Sequence, residues 1–164
     1  MTIGFVYGLL SSKKFHLLES LDAKLKVVRR NIFTAVLSAL GLALSANKGF
    51  IGLLRAPSLN ALAIFLASAG MASSVAFRFY QSPTMVGNQF GENKAVCMSF
   101  MDGMGFLLCS PVWALAGSLI SNPRLSSYGW SLVWTIIAAL LGVGGSLVLK
   151  ILPPILEKQA ARQH

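Results

Sequence analysis

Residues 128–152 read YGWSLVWTIIAALLGVGGSLVLKIL. No charge interrupts the run between Tyr128 and Lys150. About 20 apolar residues in a helix rising 1.5 Å per residue cross the hydrocarbon core of a bilayer, so the stretch predicts a membrane-spanning helix. Its ends agree with that reading: Tyr128 and Trp130 suit one interface, and Lys150 snorkels its ammonium to the other. Pro153 and Pro154 follow, lack N–H donors, and are expected to stop the helix there.

Working outward, three more apolar runs share this character. Residues 31–47 (NIFTAVLSALGLALSAN) are uncharged and are closed by Arg29, Arg30 and Lys48. Residues 58–77 (SLNALAIFLASAGMASSVAF) follow Pro57, tolerated in a first helical turn, and give way at Arg78. Residues 95–121 hold Pro111, an expected kink whose freed carbonyl a neighbouring helix can satisfy. With 55% hydrophobic and 12% charged residues in 164 and a mean hydropathy of +0.68, the chain departs from soluble proteins, in which about a quarter of residues are charged. The expected fold class is all-α: a polytopic membrane protein of about four transmembrane helices.

Two N-terminal pieces and a tail flank this domain of residues 31–152. Residues 1–12 (MTIGFVYGLLSS) form an apolar leader too short to span, without the basic start of a secretory signal, and are read as the end of a longer helix. Residues 13–30 alternate charge and leucine. Phe15, Leu17, Leu18, Leu21, Leu25 and Val28 would form the apolar side of an amphipathic helix in the headgroup plane, or the segment is a solvated loop. Residues 153–164 make a basic tail.

The net charge of +9 would point a soluble chain toward nucleic acid. Here the cations lie between apolar runs, where they orient helices, so no nucleic-acid partner is expected. Four spans put eleven Lys and Arg on one side, that of both termini and the 78–94 loop, against three on the other. The positive-inside rule then places both termini in the cytoplasm, or in the stroma or matrix of an organelle.

Several local patterns now resemble a known family. Gly8-Leu9-Leu10-Ser11-Ser12-Lys13-Lys14 is similar to the cytoplasmic Gly-x-Leu-x-Asp-(Arg/Lys) loop of the major facilitator transporters, with Ser12 where the family carries Asp. Asn88 to Ala95 (NQFGENKA) resembles the loop before that family's eleventh helix, and Tyr128-Gly129-Trp130 resembles the opening of the twelfth. Residues 1–12 then correspond to the end of the eighth helix and the four runs to the ninth through twelfth. The spacing of Phe90-Gly91, the glycines after Ala95, and Gly129-Trp130 resemble most the organophosphate and sugar-phosphate antiporters. What the resemblance implies is transport of a small organic or phosphorylated solute by rocking of two halves about a midplane site. The phosphate-holding arginines of such antiporters belong to the first and seventh helices, neither of which corresponds to any residue here. Alone the chain should therefore not transport: it is expected to be the C-terminal piece of a longer transporter, or a shortened relative that serves as a packing subunit.

Among single residues, Asp102 is the one acidic group inside a predicted span, and such a carboxylate is costly enough to be a candidate proton site. Its plain alternative is a hydrated position near the interface, one to two turns from Ala95. Asn60 and Arg78, at the ends of their helix, are candidates for a polar cavity, with Arg78 also suited to an interface anchor. Gly70, Gly103, Gly105, Gly142, Gly144 and Gly145 suit close helix packing or, with Pro111, a hinge. Met98, Met101, Met104, Trp113 and Trp134 suit ordinary packing or lipid contact better than a pocket.

No enzyme signature is present: no Gly-x-Ser-x-Gly, no phosphate-binding glycine loop and no His-Glu-x-x-His. His16 has no second histidine or nearby cysteine and His164 is terminal, so neither a metal nor another cofactor is expected. Cys97 and Cys109 lie twelve residues apart in one predicted helix, about 18 Å by helical rise and too far to pair. The expected partners are the bilayer and other membrane helices. Against the transporter reading stands an accessory subunit of a respiratory or photosynthetic complex, binding lipid or pigment at its flanks. An ion channel made by oligomerisation finds no filter motif or ring-forming charge to support it.

Overall fold

The computed structural model describes residues 2–18, 20–47, 57–87, 91–125 and 128–161. Among these there are helices and turns and no strand. The helices are α1 (Thr2–His16), α2 (Leu21–Ser45), α3 (Pro57–Gly87), α4 (Lys94–Ser121) and α5 (Gly129–Ala161), with a single 3-10 turn at Gly91–Asn93 before α4. Four are long and apolar enough to cross a membrane, over Leu21–Ser45, Pro57–Arg78, Lys94–Ser121 and Gly129–Glu157. The chain is a multi-pass, all-helical membrane protein.

The contacts fix the direction of each helix. Thr34 and Ser38 of α2 meet Gly70 of α3, and Gly41 meets Ala67, so α2 and α3 run antiparallel. Ile32 meets Gly145 and Val28 shares a cluster with Leu152 and Leu156, so α2 and α5 are also antiparallel. The start of α5 at Gly129 lies on Leu119 and Ile120 of α4, closing an α4–α5 hairpin. Helix α1 instead runs parallel to α3, with Gly4 against Ala69 and Gly8 against Ser73.

Small residues set the packing distance. In a bilayer the lipid tails are as apolar as leucine, so helices associate through close backbone approach rather than through burial from water. The most enclosed side chains are accordingly small: Ala35, Ala39, Ala76 and Ser74. A Cβ at Gly4 would overlap the Ala69 carbonyl, and one at Gly8 would overlap the Ser73 carbonyl and lie 2.9 Å from Ala76 Cβ. Helix α3 thus presents two small-residue faces, Ala69 and Ser73 to α1 and Ala67, Gly70 and Ser74 to α2.

Larger buried residues form a cluster at one end. Phe15 and Phe77 meet edge to face, 5.8 Å between centroids at 81°, in a cluster with Val28, Leu152 and Leu156. This end joins the close of α1, the start of α2 and the ends of α3 and α5. The cations beside those residues, Lys13, Lys14, Lys24, Lys26, Arg29, Arg30, Arg78 and Lys150, therefore share it, and Arg124 stands in the turn at the opposite end.

Four sequence expectations change. Residues 2–12 belong to a 15-residue helix that continues to His16. Among the described residues of 13–30 there is no separate helix: the first part completes α1, and from Leu21 the chain continues unbroken into α2, capped by Ser20, whose Oγ accepts from the Ala23 N–H at 3.2 Å. Leucine and charge alternate because this stretch is an ordinary end of two packed helices, with Phe15 and Val28 buried and Leu21 and Leu25 against them, while Leu17 is exposed. Helix α3 passes Arg78 and runs to Gly87, since a charge ends the apolar span without interrupting backbone hydrogen bonds. Pro153 and Pro154 lie inside α5, which runs to Ala161. Leu152 and Leu156 anchor both sides of the prolines in the end cluster, and those contacts offset the lost donors. Helix α4 also continues through Pro111.

Candidate functional site: a basic groove between three helices

Helix α1 reaches α3 through Gly4 and Gly8 and borders cavities that it shares with α2. Tyr7, Leu10, Ser11 and Lys14 recur at three- and four-residue steps and so share one stripe of α1. Ala23, Val27, Arg30 and Thr34 do the same on α2, with Lys26 and Phe33 beside them. The stripes form the banks of a groove whose floor is Ser73 and Phe77 of α3.

Three cavities lie along the groove, and Val27 and Arg30 border all of them. The smallest, about 90 Å³, is the most polar: Tyr7, Ser11, Asn31, Thr34 and Ser73 contribute to its wall. Above it a cavity of about 420 Å³ lies between Lys14 and Arg30, with Phe15 and Leu18. Beside it a third, about 550 Å³, is walled by Leu18, Ala23, Val27 and Phe33 under the stems of Lys26 and Arg29. No acidic side chain borders the three cavities among the described residues.

Side-chain hydroxyls hold the floor in place. Thr34 Oγ1 donates to the Arg30 carbonyl one turn earlier at 2.9 Å, a local bond that competes with the helix ladder and aims that face of α2. Ser74 Oγ donates to the Asn31 carbonyl at 3.3 Å, tying α3 to α2. The arrangement holds four cations, Lys14, Lys26, Arg29 and Arg30, and neutral donors beside an apolar cavity, which suits an anionic group.

The residues singled out from the sequence do not converge there. Asn60 lies near the start of α3 and Arg78 toward its end, eighteen residues apart or about 27 Å by helical rise. Each carries a buried polar atom, Asn60 Oδ1 and Arg78 Nη2, without a hydrogen-bond partner among the described residues. Asp102 is exposed on α4, two turns from its start. Gly70 packs on Ser38 and Gly145 on Ile32, whereas a Cβ added at Gly103, Gly142 or Gly144 would meet nothing within 4 Å among the described residues. Gly105 and Met101 lie within α4, but their surroundings fall outside the described residues. Trp113 is 71% exposed, Met104 is exposed and Met98 and Trp134 are half-buried. Cys97 and Cys109 are free thiols. Among the described residues no group of His, Cys, Asp and Glu is placed to hold a metal ion.

Sequence reasoning passed over the groove because Lys14, Arg29 and Arg30 serve there as topology signals. The three- and four-residue recurrence of Tyr7, Ser11 and Lys14 was the available sign, but it acquires meaning only once α1 lies beside α2. No family model, curated protein or solved structure matches the chain.

Proposed function

We propose that the chain forms part of a secondary transporter of the major facilitator type, moving a small organic or phosphorylated solute by alternating access together with further helices that complete the route. The observation that carries this reading is the order and direction of the helices. Successive spans alternate, α1 runs parallel to α3, and the cations gather at the end shared by the α1–α2 junction and the ends of α3 and α5. This is the arrangement that the resemblance requires of an eighth to twelfth helix, and it favours the cytoplasm, stroma or matrix for the basic end and both termini.

Helix α4 supplies the face for the missing wall. Val96, Phe100, Leu107 and Trp113 are exposed along it, Ala116 is its buried contact among the described side chains, and Asp102 stands on the same helix. In a completed transporter Asp102 carries the coupling proton, since a carboxylate is retained at membrane depth where function requires it.

The test is flux in proteoliposomes holding the chain together with a facilitator N-terminal half and the missing helices. Uptake of a phosphorylated solute driven by a proton gradient, lost in Asp102→Asn, is the expected result. Stoichiometric copurification of the native chain with unrelated membrane subunits, without flux, would overturn the reading in favour of an accessory subunit.

A further inference from the structure

We infer that the α1–α2 groove is a binding site for an anionic phospholipid, whose phosphate lies between Lys14 and Arg30 and whose acyl chain lies along Val27 and Phe33. The inference is independent of transport, since it concerns a surface built wholly by this chain.

Three observations lead to it. The first is charge: Lys14 on one bank and Arg30 on the other flank a cavity of about 420 Å³, and no acidic side chain borders it among the described residues. The guanidinium matches a phosphate with two parallel N–H donors, and lysine adds a compact second charge. The second is the neighbouring cavity of about 550 Å³, whose walls are hydrocarbon almost throughout, formed by Leu18, Ala23, Val27 and Phe33 together with Lys26, Arg29 and Arg30. A free phosphate would use the cations and leave this volume unused; an amphiphile fills both. The third is depth. Arg30 directly precedes the uncharged run of residues 31–47, and Phe33, one turn further in, is 62% exposed. The cations thus stand where headgroups lie and Phe33 where tails begin, with Leu18, Ala23 and Val27 on the headgroup side of Arg30. Neutral donors on the α1 bank, Tyr7 and Ser11, are available to the remaining phosphate or glycerol oxygens.

The experiment uses the full chain purified in mild detergent, stripped of lipid, then offered phosphatidylglycerol or phosphatidylcholine and followed by native mass spectrometry. The expected result is one retained phosphatidylglycerol with roughly tenfold preference over phosphatidylcholine. The Lys14→Gln/Arg30→Gln double variant should lose that preference, and Lys14→Gln/Arg30→Lys should regain part of it. Lys94→Gln, which removes a cation away from the groove, should retain it. Ala23→Phe, which narrows the apolar cavity without changing charge, should weaken retention of phosphatidylglycerol. The inference is overturned if millimolar inorganic phosphate displaces the lipid, which would make this a free-anion site. It is equally overturned if Lys94→Gln loses as much preference as the double variant, or if Ala23→Phe retains lipid unchanged.

Discussion

Gly8→Ala should separate α1 from α3 and destabilise the bundle by about 1–2 kcal/mol. Its Cβ would overlap the Ser73 carbonyl and stand 2.9 Å from Ala76 Cβ, so it meets backbone, which cannot rotate away. Overpacking of this kind costs about 1–3 kcal/mol. Alanine returns up to about 1 kcal/mol of helix propensity, and less in a membrane, where the separated helices remain helical. Gly103→Ala is the matched control: the same chemical change in a membrane helix, with nothing within 4 Å of the new methyl among the described residues. It should be neutral or stabilising by up to about 1 kcal/mol. The measurement is unfolding of the full chain in mixed micelles by titration with sodium dodecyl sulfate, followed by far-ultraviolet circular dichroism. Gly4→Ala faces the Ala69 carbonyl and should act in the same direction, with the Gly4→Ala/Gly8→Ala double variant falling short of additivity because both push on one interface. Equal stability of Gly8→Ala and wild type, or a larger loss in Gly103→Ala than in Gly8→Ala, would refute the close α1–α3 approach.

Other contacts give outcomes of their own. Phe15 and Phe77, edge to face at 5.8 Å, should show a coupling of about 0.5–1.5 kcal/mol in a double-mutant cycle with alanine; no coupling would mean that α1 does not end against α3. Ser20→Ala removes the side chain that accepts the Ala23 N–H and should cost about 1 kcal/mol, read as faster amide exchange confined to the first turn of α2. Single cysteines at Lys94 and Lys150, with Cys97 and Cys109 changed to serine, should react with an impermeant maleimide from the same side of sealed vesicles, and one at Arg124 from the other. Labelling of all three from one side would exclude the alternating topology.

Much of the architecture was legible from hydropathy, because the cost of placing charge in hydrocarbon imprints each span on the chain. The four apolar runs appear as four helices long and apolar enough to cross a membrane, and Arg124 stands apart from the cations at the other end. Helix ends were less legible. Arg78 and the Pro153–Pro154 pair mark where the apolar run or a free helix would end, yet α3 and α5 pass them, because backbone hydrogen bonding and packing of Leu152 and Leu156 decide continuity. The glycines divide in the same manner. Gly145 meets Ile32 of α2 and Gly144, its chain neighbour, meets nothing within 4 Å among the described residues, a distinction set by rotation of α5 that composition does not carry.

The groove shows the division most clearly. By itself the sequence determined an all-helical membrane protein, the number of its spans and the grouping of its cations, since those follow from the transfer of each residue between water and lipid. Only the tertiary structure decided that Gly4 and Gly8 bring α1 onto α3, and that Lys14 and Arg30, sixteen residues apart, face each other across one cavity. Hydropathy is a property of one residue and its solvent, whereas a site depends on which faces of separate helices meet.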